Sequence, residues 1–194
     1  MGEIIVLVNV DEDGFSLGLV EVDSLDENGN RNPLLDSPFL VPPSSTGGFW
    51  RPKWDFENKI WTEGDPETAL KVRKGEIKQQ FKIECNKLIE SGFSNGEYTF
   101  YFDKESQLDF TMKLTYLNSG LGDPDNITWK TMDKGVKIFN REQFFSICQA
   151  GHDHYEGNKG ALWRLEAYID GLTSLDELNS LTDFESSKEL VENH

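Results

Sequence analysis

The chain has 194 residues, 37% of them hydrophobic and 12% aromatic, enough for one larger core or two small ones and too many for global disorder. Its 35 acidic against 19 basic residues leave a formal net charge of -16, which disfavours nucleic acid and anionic membrane surfaces as main partners, since both are polyanions. The two cysteines, Cys85 and Cys148, are too few for a disulfide framework and fit a reducing compartment.

Ile4–Val10 is apolar and β-branched and reads as a strand. Residues 11–14 form a turn, and residues 15–22 a second strand with Phe15, Leu17, Leu19 and Glu21 on one face. Asn28-Gly29 is a tight-turn pair. Residues 23–30 superficially suggest a calcium loop, but Ser24 stands at the first acidic position and Leu35 at the closing one, so the turn reading is preferred. Residues 38–48 hold Pro42-Pro43 and form an extended connector, because consecutive prolines suit neither helix nor central strand.

Trp50, Trp54 and Trp61 follow within a dozen residues, in what reads as a hairpin. They suit a carbohydrate-stacking patch or, better, the core of a small β-module, since aromatic side chains dominate small cores. Asp65 and Pro66 then announce a helix as N-cap and first helical residue, running to Ser91 and stopping at Gly92. Leu70, Ile77, Phe81, Cys85 and Leu88 make its apolar stripe, and Gly75 weakens its continuity. Six basic residues between Lys71 and Lys87 make it the most basic stretch of the chain.

Beyond Asn95-Gly96, residues 98–102 read as a strand and Asp103 as the cap of a helix. On that helix Leu108, Met112 and Tyr116 share one side, and Phe110, Leu114 and Leu117 another. Residues 127–131 and 136–139 form a hairpin around Asp133-Lys134-Gly135. Two helices follow, residues 141–150 and one starting at Asn158, and Ser174-Leu175-Asp176-Glu177 is a capping box. Residues 185–194 read as a frayed tail. Trp129, Phe144, Leu162, Leu165 and Ile169 are expected to be buried together.

The fold class is therefore α+β: a small β-rich N-terminal head (residues 1–62), a long connecting helix (65–92), an α+β C-terminal lobe (96–182) and the tail (185–194). No apolar run has the length of a membrane span, and Met1-Gly2-Glu3 lacks the basic start of a secretory signal, so synthesis and folding in a cytoplasm are expected.

Chemistry is sparsely signalled. Cys148, His152 and His154, in an expected helix-to-helix loop, make the one metal-like cluster, since two histidines two apart can reach one ion from extended backbone. His194 is the remaining histidine. A Cys148/His152 dyad is a weak nucleophilic option, and no nucleophile elbow, phosphate loop or dinucleotide fingerprint occurs. The expectation is no enzyme, no cofactor and no resident metal.

Three runs stand in a fixed order: an aromatic strand leading into an acidic Ser-Gln helix start (residues 100–107), a Trp-containing strand (127–130) followed by a phenylalanine-rich helix (141–150), and a helix closed by a Leu-x-x-Leu cap (161–178). This order resembles a C-terminal domain of accessory tail proteins of tailed bacteriophages, including tail-fibre-assembly-like proteins. Pro42-Pro43, Pro52-Lys53-Trp54-Asp55 and Trp61-Thr62-Glu63 are similar to the heads of such proteins. The resemblance implies a virion component docked by protein–protein contacts on the tail tip, baseplate or tail fibre, with a trimeric fibre or tail protein among the partners it suggests. The alternative is an assembly chaperone that leaves the particle, and a weaker one is a carbohydrate-binding module for host recognition. In the docking reading the partner-binding anchors are Trp50, Trp54 and Trp61.

Overall fold

The structure, a computed structural model, describes residues 2–45 and 47–192. It is α+β, and the chain divides into two compact units, residues 1–73 and 74–194.

In the first unit, strands β1 (Ile4–Val10) and β2 (Ser16–Asp23) pair antiparallel, with Ile4 opposite Asp23, Val6 opposite Glu21 and Val8 opposite Leu19. Asp11 holds the connecting turn by accepting the backbone N–H groups of Asp13 and Phe15 at 3.0 and 2.8 Å. The expected turn before Asn30 is built in the same way, Asp26 accepting from Asn28 and Asn30. A short β3 (Leu40–Val41) pairs with the free edge of β1. β4 (Pro52–Asp55) and β5 (Ile60–Glu63) form a second hairpin that puts Trp54 directly opposite Trp61.

The two hairpins meet at Gly14. Its carbonyl accepts the Trp54 N–H at 2.8 Å, its φ is +90°, and a Cβ there would stand 2.2 Å from the Trp54 carbonyl oxygen. Only glycine permits that approach in that backbone region. The core is small: Val8, Val10, Val41 and Trp54, with Trp61 packed against them.

The division falls within helix α1 (Pro66–Glu90), which starts as its sequence signals, with Asp65 accepting the Thr68 N–H at 3.1 Å. In the second unit the buried side of α1 is Ile77, Phe81, Cys85 and Ile89; Leu88 is half-buried. β6 (Phe93–Ser94) and β7 (Thr99–Phe100) pair briefly. Asp103 caps α2 (Lys104–Asn118), and β8 (Ile127–Thr131) and β9 (Gly135–Phe139) form the expected hairpin.

The largest departure from the sequence reading is α3 (Arg141–Gly171), one helix of 31 residues where two were expected. At 1.5 Å per residue it is about 46 Å long. It runs antiparallel to α1: Lys74 Nζ donates to the Asp170 carbonyl (2.8 Å), the Cys85 thiol to that of Asn158 (3.5 Å), and His154 Nε2 lies 3.3 Å from that of Ile89.

Because α3 is one rod, the five-residue core expected from Trp129 to Ile169 is split. Phe144 packs on Phe110 and Trp129, at 5.9 and 5.1 Å between ring centres, in an aromatic cluster that includes Phe93, Phe100 and Phe102. Leu162, Leu165 and Ile169 are buried at the far end of the helix, which runs against α1 and the last helix. Trp129 itself is only half-buried.

The capping box at Ser174 starts α4 (Leu175–Asn179) as read. The expected frayed tail is instead α5 (Phe184–Glu192), held by buried Phe184, Ser187 and Val191. Residues 193 and 194, and with them His194, lie outside the described residues. No helix among the described residues is long and apolar enough to cross a membrane.

Candidate functional site

The three tryptophans part company in the structure. Trp54 is buried at 8% exposure, its ring 5.6 Å from that of Trp61 in an edge-to-face pair that suits aromatic quadrupoles. Trp61 is half-buried and its indole N–H donates to the Pro42 carbonyl at 2.9 Å. The Pro-Pro connector is thus tied by its backbone to the indole edge of Trp61 in its own head. Trp54, buried in the core, is not free to anchor a partner, which corrects the expectation for it, while half-buried Trp61 is partly engaged within the head. The reason is the size of the head: a core this small needs the large rings for itself.

Trp50 is different. It is 56% exposed, on a loop fixed from below by Glu63. The Glu63 carboxylate accepts the backbone N–H groups of Trp50 (2.6 Å), Arg51 (3.0 Å) and Asp65 (3.0 Å). Three charge-assisted bonds to one side chain give the loop a defined backbone, so Trp50 is presented on a held loop.

The head also exposes apolar side chains that the sequence reading left unassigned. Ile4, Val6 and Leu19 fall on one face of the β1–β2 pair by their register, the face whose Val8 enters the core further along, and Leu17 is the unpaired residue of the bulge opposite Asn9 and Val10. All four are exposed, Leu19 at 71% and Leu17 at 64%. Alternation marked Leu17 and Leu19 as one face but not as the outward one. Phe15, placed with them, is instead covered by the Arg51 guanidinium, 4.1 Å from its ring centre, and by Lys53.

The cluster Cys148, His152 and His154 is not in a loop. It lies within α3, where residues two apart point to nearly opposite sides, so the two histidines cannot share an ion. His154 sits against the rings of Phe93 and Phe102, while His152 is exposed. Among the described residues no group of three or more His, Cys, Asp or Glu is placed to hold a metal. Burial pushes the Cys148 thiol up to about 12, so at neutral pH it is protonated and a poor nucleophile.

These features define a small α+β protein whose head keeps two of its tryptophans for its own core and turns apolar strand residues outward. Residues 72–186, more than half of the chain, match the family described as Domain of unknown function (DUF4376), and the chain belongs to that family. The matched region begins in α1 and ends in α5; the head lies before it. That description assigns no role and does not bear on phage tails. No curated protein and no solved structure matches the chain.

Proposed function

We propose that the chain is a docking protein of a phage tail, meeting the tail tip, baseplate or a tail fibre through its head. The observation that carries the docking part is the exposed apolar set Ile4, Val6 and Leu19 on one face of the β1–β2 pair, with exposed Leu17 in the adjoining bulge. β2 is an edge strand, and exposed apolar edges are costly to leave uncovered because they template association. Trp50 on its held loop supplies an aromatic anchor of the kind that dominates interfaces. The tail setting rests on the order of motifs set out above, and the net charge of -16 suits a basic partner surface.

Mass spectrometry of purified particles tests the setting: a virion component is present in stoichiometric amount, an assembly chaperone is absent but alters the fibres when deleted. Absence from particles together with normal fibres and normal infection overturns both. The surface is tested separately, by co-purification with fibre and baseplate proteins. Leu17→Glu, Leu19→Glu and Trp50→Ala should each weaken that association while leaving the thermal melt unchanged, because all three side chains are exposed. Retained association in the combined variant sinks the head as contact surface.

A further inference from the structure

A groove of about 920 Å³ lies in the second unit between α2 and β8. On the helix side it is lined by Asp109, Met112, Lys113 and Tyr116, which the 3.6-residue period puts on one face. On the strand side it is lined by Thr128, Trp129 and Lys130 and by no residue of β9. Side chains of consecutive strand residues point to opposite faces, so a groove touching all three opens on the edge of β8. Among the described residues that edge pairs with no other strand, since β8 and β9 form a two-stranded sheet. The Met132 N–H, just past the strand, donates to the Thr99 carbonyl at 2.7 Å and closes one end.

The floor is apolar, the Trp129 and Phe110 ring centres lying 4.4 Å apart. The wall is apolar and open, Met112 being 61% and Tyr116 48% exposed. In a chain of net charge -16 the groove carries two lysines against one acid. Neither Lys113 nor Lys130 makes an ion pair among the described residues; Lys130 stands over the Tyr101 ring at 5.6 Å.

We propose that this groove receives an extended acidic peptide segment of another protein, which adds as a strand to the edge of β8. Unpaired backbone groups of β8 would supply the main-chain bonds, the Met112/Tyr116 wall the side-chain pockets, and the two lysines the charge preference. Five residues of β8 offer about 17 Å of edge, enough for a strand of similar length. The site lies within the second unit and does not depend on the role proposed for the head.

The probe is a random nonapeptide display library panned on the full chain, with counter-selection on the double variant Met112→Glu, Lys130→Glu. Both positions are exposed, and an unchanged melt verifies that the variant is folded. The expected result is a set of peptides with an acidic residue among alternating apolar ones. Their affinity should fall about tenfold or more on Lys113→Glu with Lys130→Glu, and weaken with added salt. Methylating the backbone amides of a selected peptide one at a time should abolish binding at every second residue and be tolerated between. That alternation separates strand addition from docking by side chains alone and leaves the protein untouched. Failure to select groove-dependent peptides, or methylation tolerated throughout, overturns the proposal.

Discussion

Phe184→Ala is the sharpest test of how the second unit holds its last helix. The side chain is 1% exposed and its ring meets Phe81 of α1 edge-to-face at 6.3 Å. Its backbone N–H donates to Glu84 at 2.7 Å, which satisfies one of the open donors at the start of α5. Removing a buried phenylalanine ring costs about 3–5 kcal/mol, lost transfer energy and residual cavity together. Of that, the ring–ring geometry accounts for roughly 0.5–1.5 kcal/mol. Phe184→Leu should therefore lose much less, about 1.5 kcal/mol or below, because it refills most of the space. At roughly 4 °C of melting temperature per kcal/mol, Phe184→Ala should melt about 12–20 °C lower. Leu190→Ala, in the same helix but 49% exposed, should stay within about 0.5 kcal/mol. Urea unfolding followed by far-ultraviolet circular dichroism ranks the three variants, and a constant slope shows that unfolding stays cooperative. If Phe184→Ala and Leu190→Ala prove equally harmless, α5 is not docked on α1 and the packing described above is wrong.

In the head, Trp54→Ala should cost about 3–5 kcal/mol, and Trp50→Ala nothing beyond about 0.5 kcal/mol; chemical denaturation of both separates core from surface. A soluble thiol reagent should leave Cys148 unmodified in the native protein at neutral pH and label it rapidly in denaturant, since burial pushes its thiol up to about 12; fast native labelling refutes this. Asp103 and Asp183 are held below their ordinary value of 3.8, chiefly by the backbone N–H groups of Ser106 and Ser186 that they accept. With the folded value the lower one, their contribution is present above 3.8 and lost as pH falls through the folded value. Melts taken from about pH 6 to about pH 2.5 should thus fall less steeply for Asp103→Asn with Asp183→Asn, whose amides still cap but no longer titrate.

Local chemistry was legible. Asp65, Asp103 and Ser174 cap the helices they were read to cap, and Asp133-Lys134-Gly135 turns the hairpin expected of it. These features are legible because caps and turns are settled by a few adjacent residues. The continuity of α3 was not. Residues 151–157, with Gly151 and Gly157 and polar residues between them, read as a loop between two helices. Yet Phe144, Ile147, Gly151, His154, Asn158, Ala161, Leu165 and Ile169 follow at spacings of three or four, a continuous helical stripe once small and polar positions are counted. The structure shows why they belong: a Cβ at Gly151 would stand 3.0 Å from the Phe93 ring, and the Asn158 side chain donates to the His154 carbonyl. Packing against rings far along the chain overrides local propensity there.

The groove was half visible. α2 carries two apolar sides, Phe110 with Leu117 and Leu108 with Met112 and Tyr116, and only the first is buried. A helix with two such sides has one left over, but periodicity alone does not say which. The three tryptophans were half legible too: the preferred reading as the core of a small β-module fits Trp54 and Trp61 but not Trp50. Their clustering marked importance, and only the size of the surrounding core decided that Trp54 and Trp61 face inward while Trp50 does not.

The register of α1 has a consequence for how the protein is made. The residues that close over its apolar side come 65 to 100 positions later, from His154 opposite Ile89 to Phe184 opposite Glu84. At the usual pace of translation, about 5–20 residues per second, Ile77, Phe81 and Cys85 wait several seconds on the ribosome for their partners. The exposed Lys71, Lys82 and Lys87 keep the same helix charged during that interval. The basic character of α1, odd in so acidic a chain, thus falls on the helix that is made early and covered late.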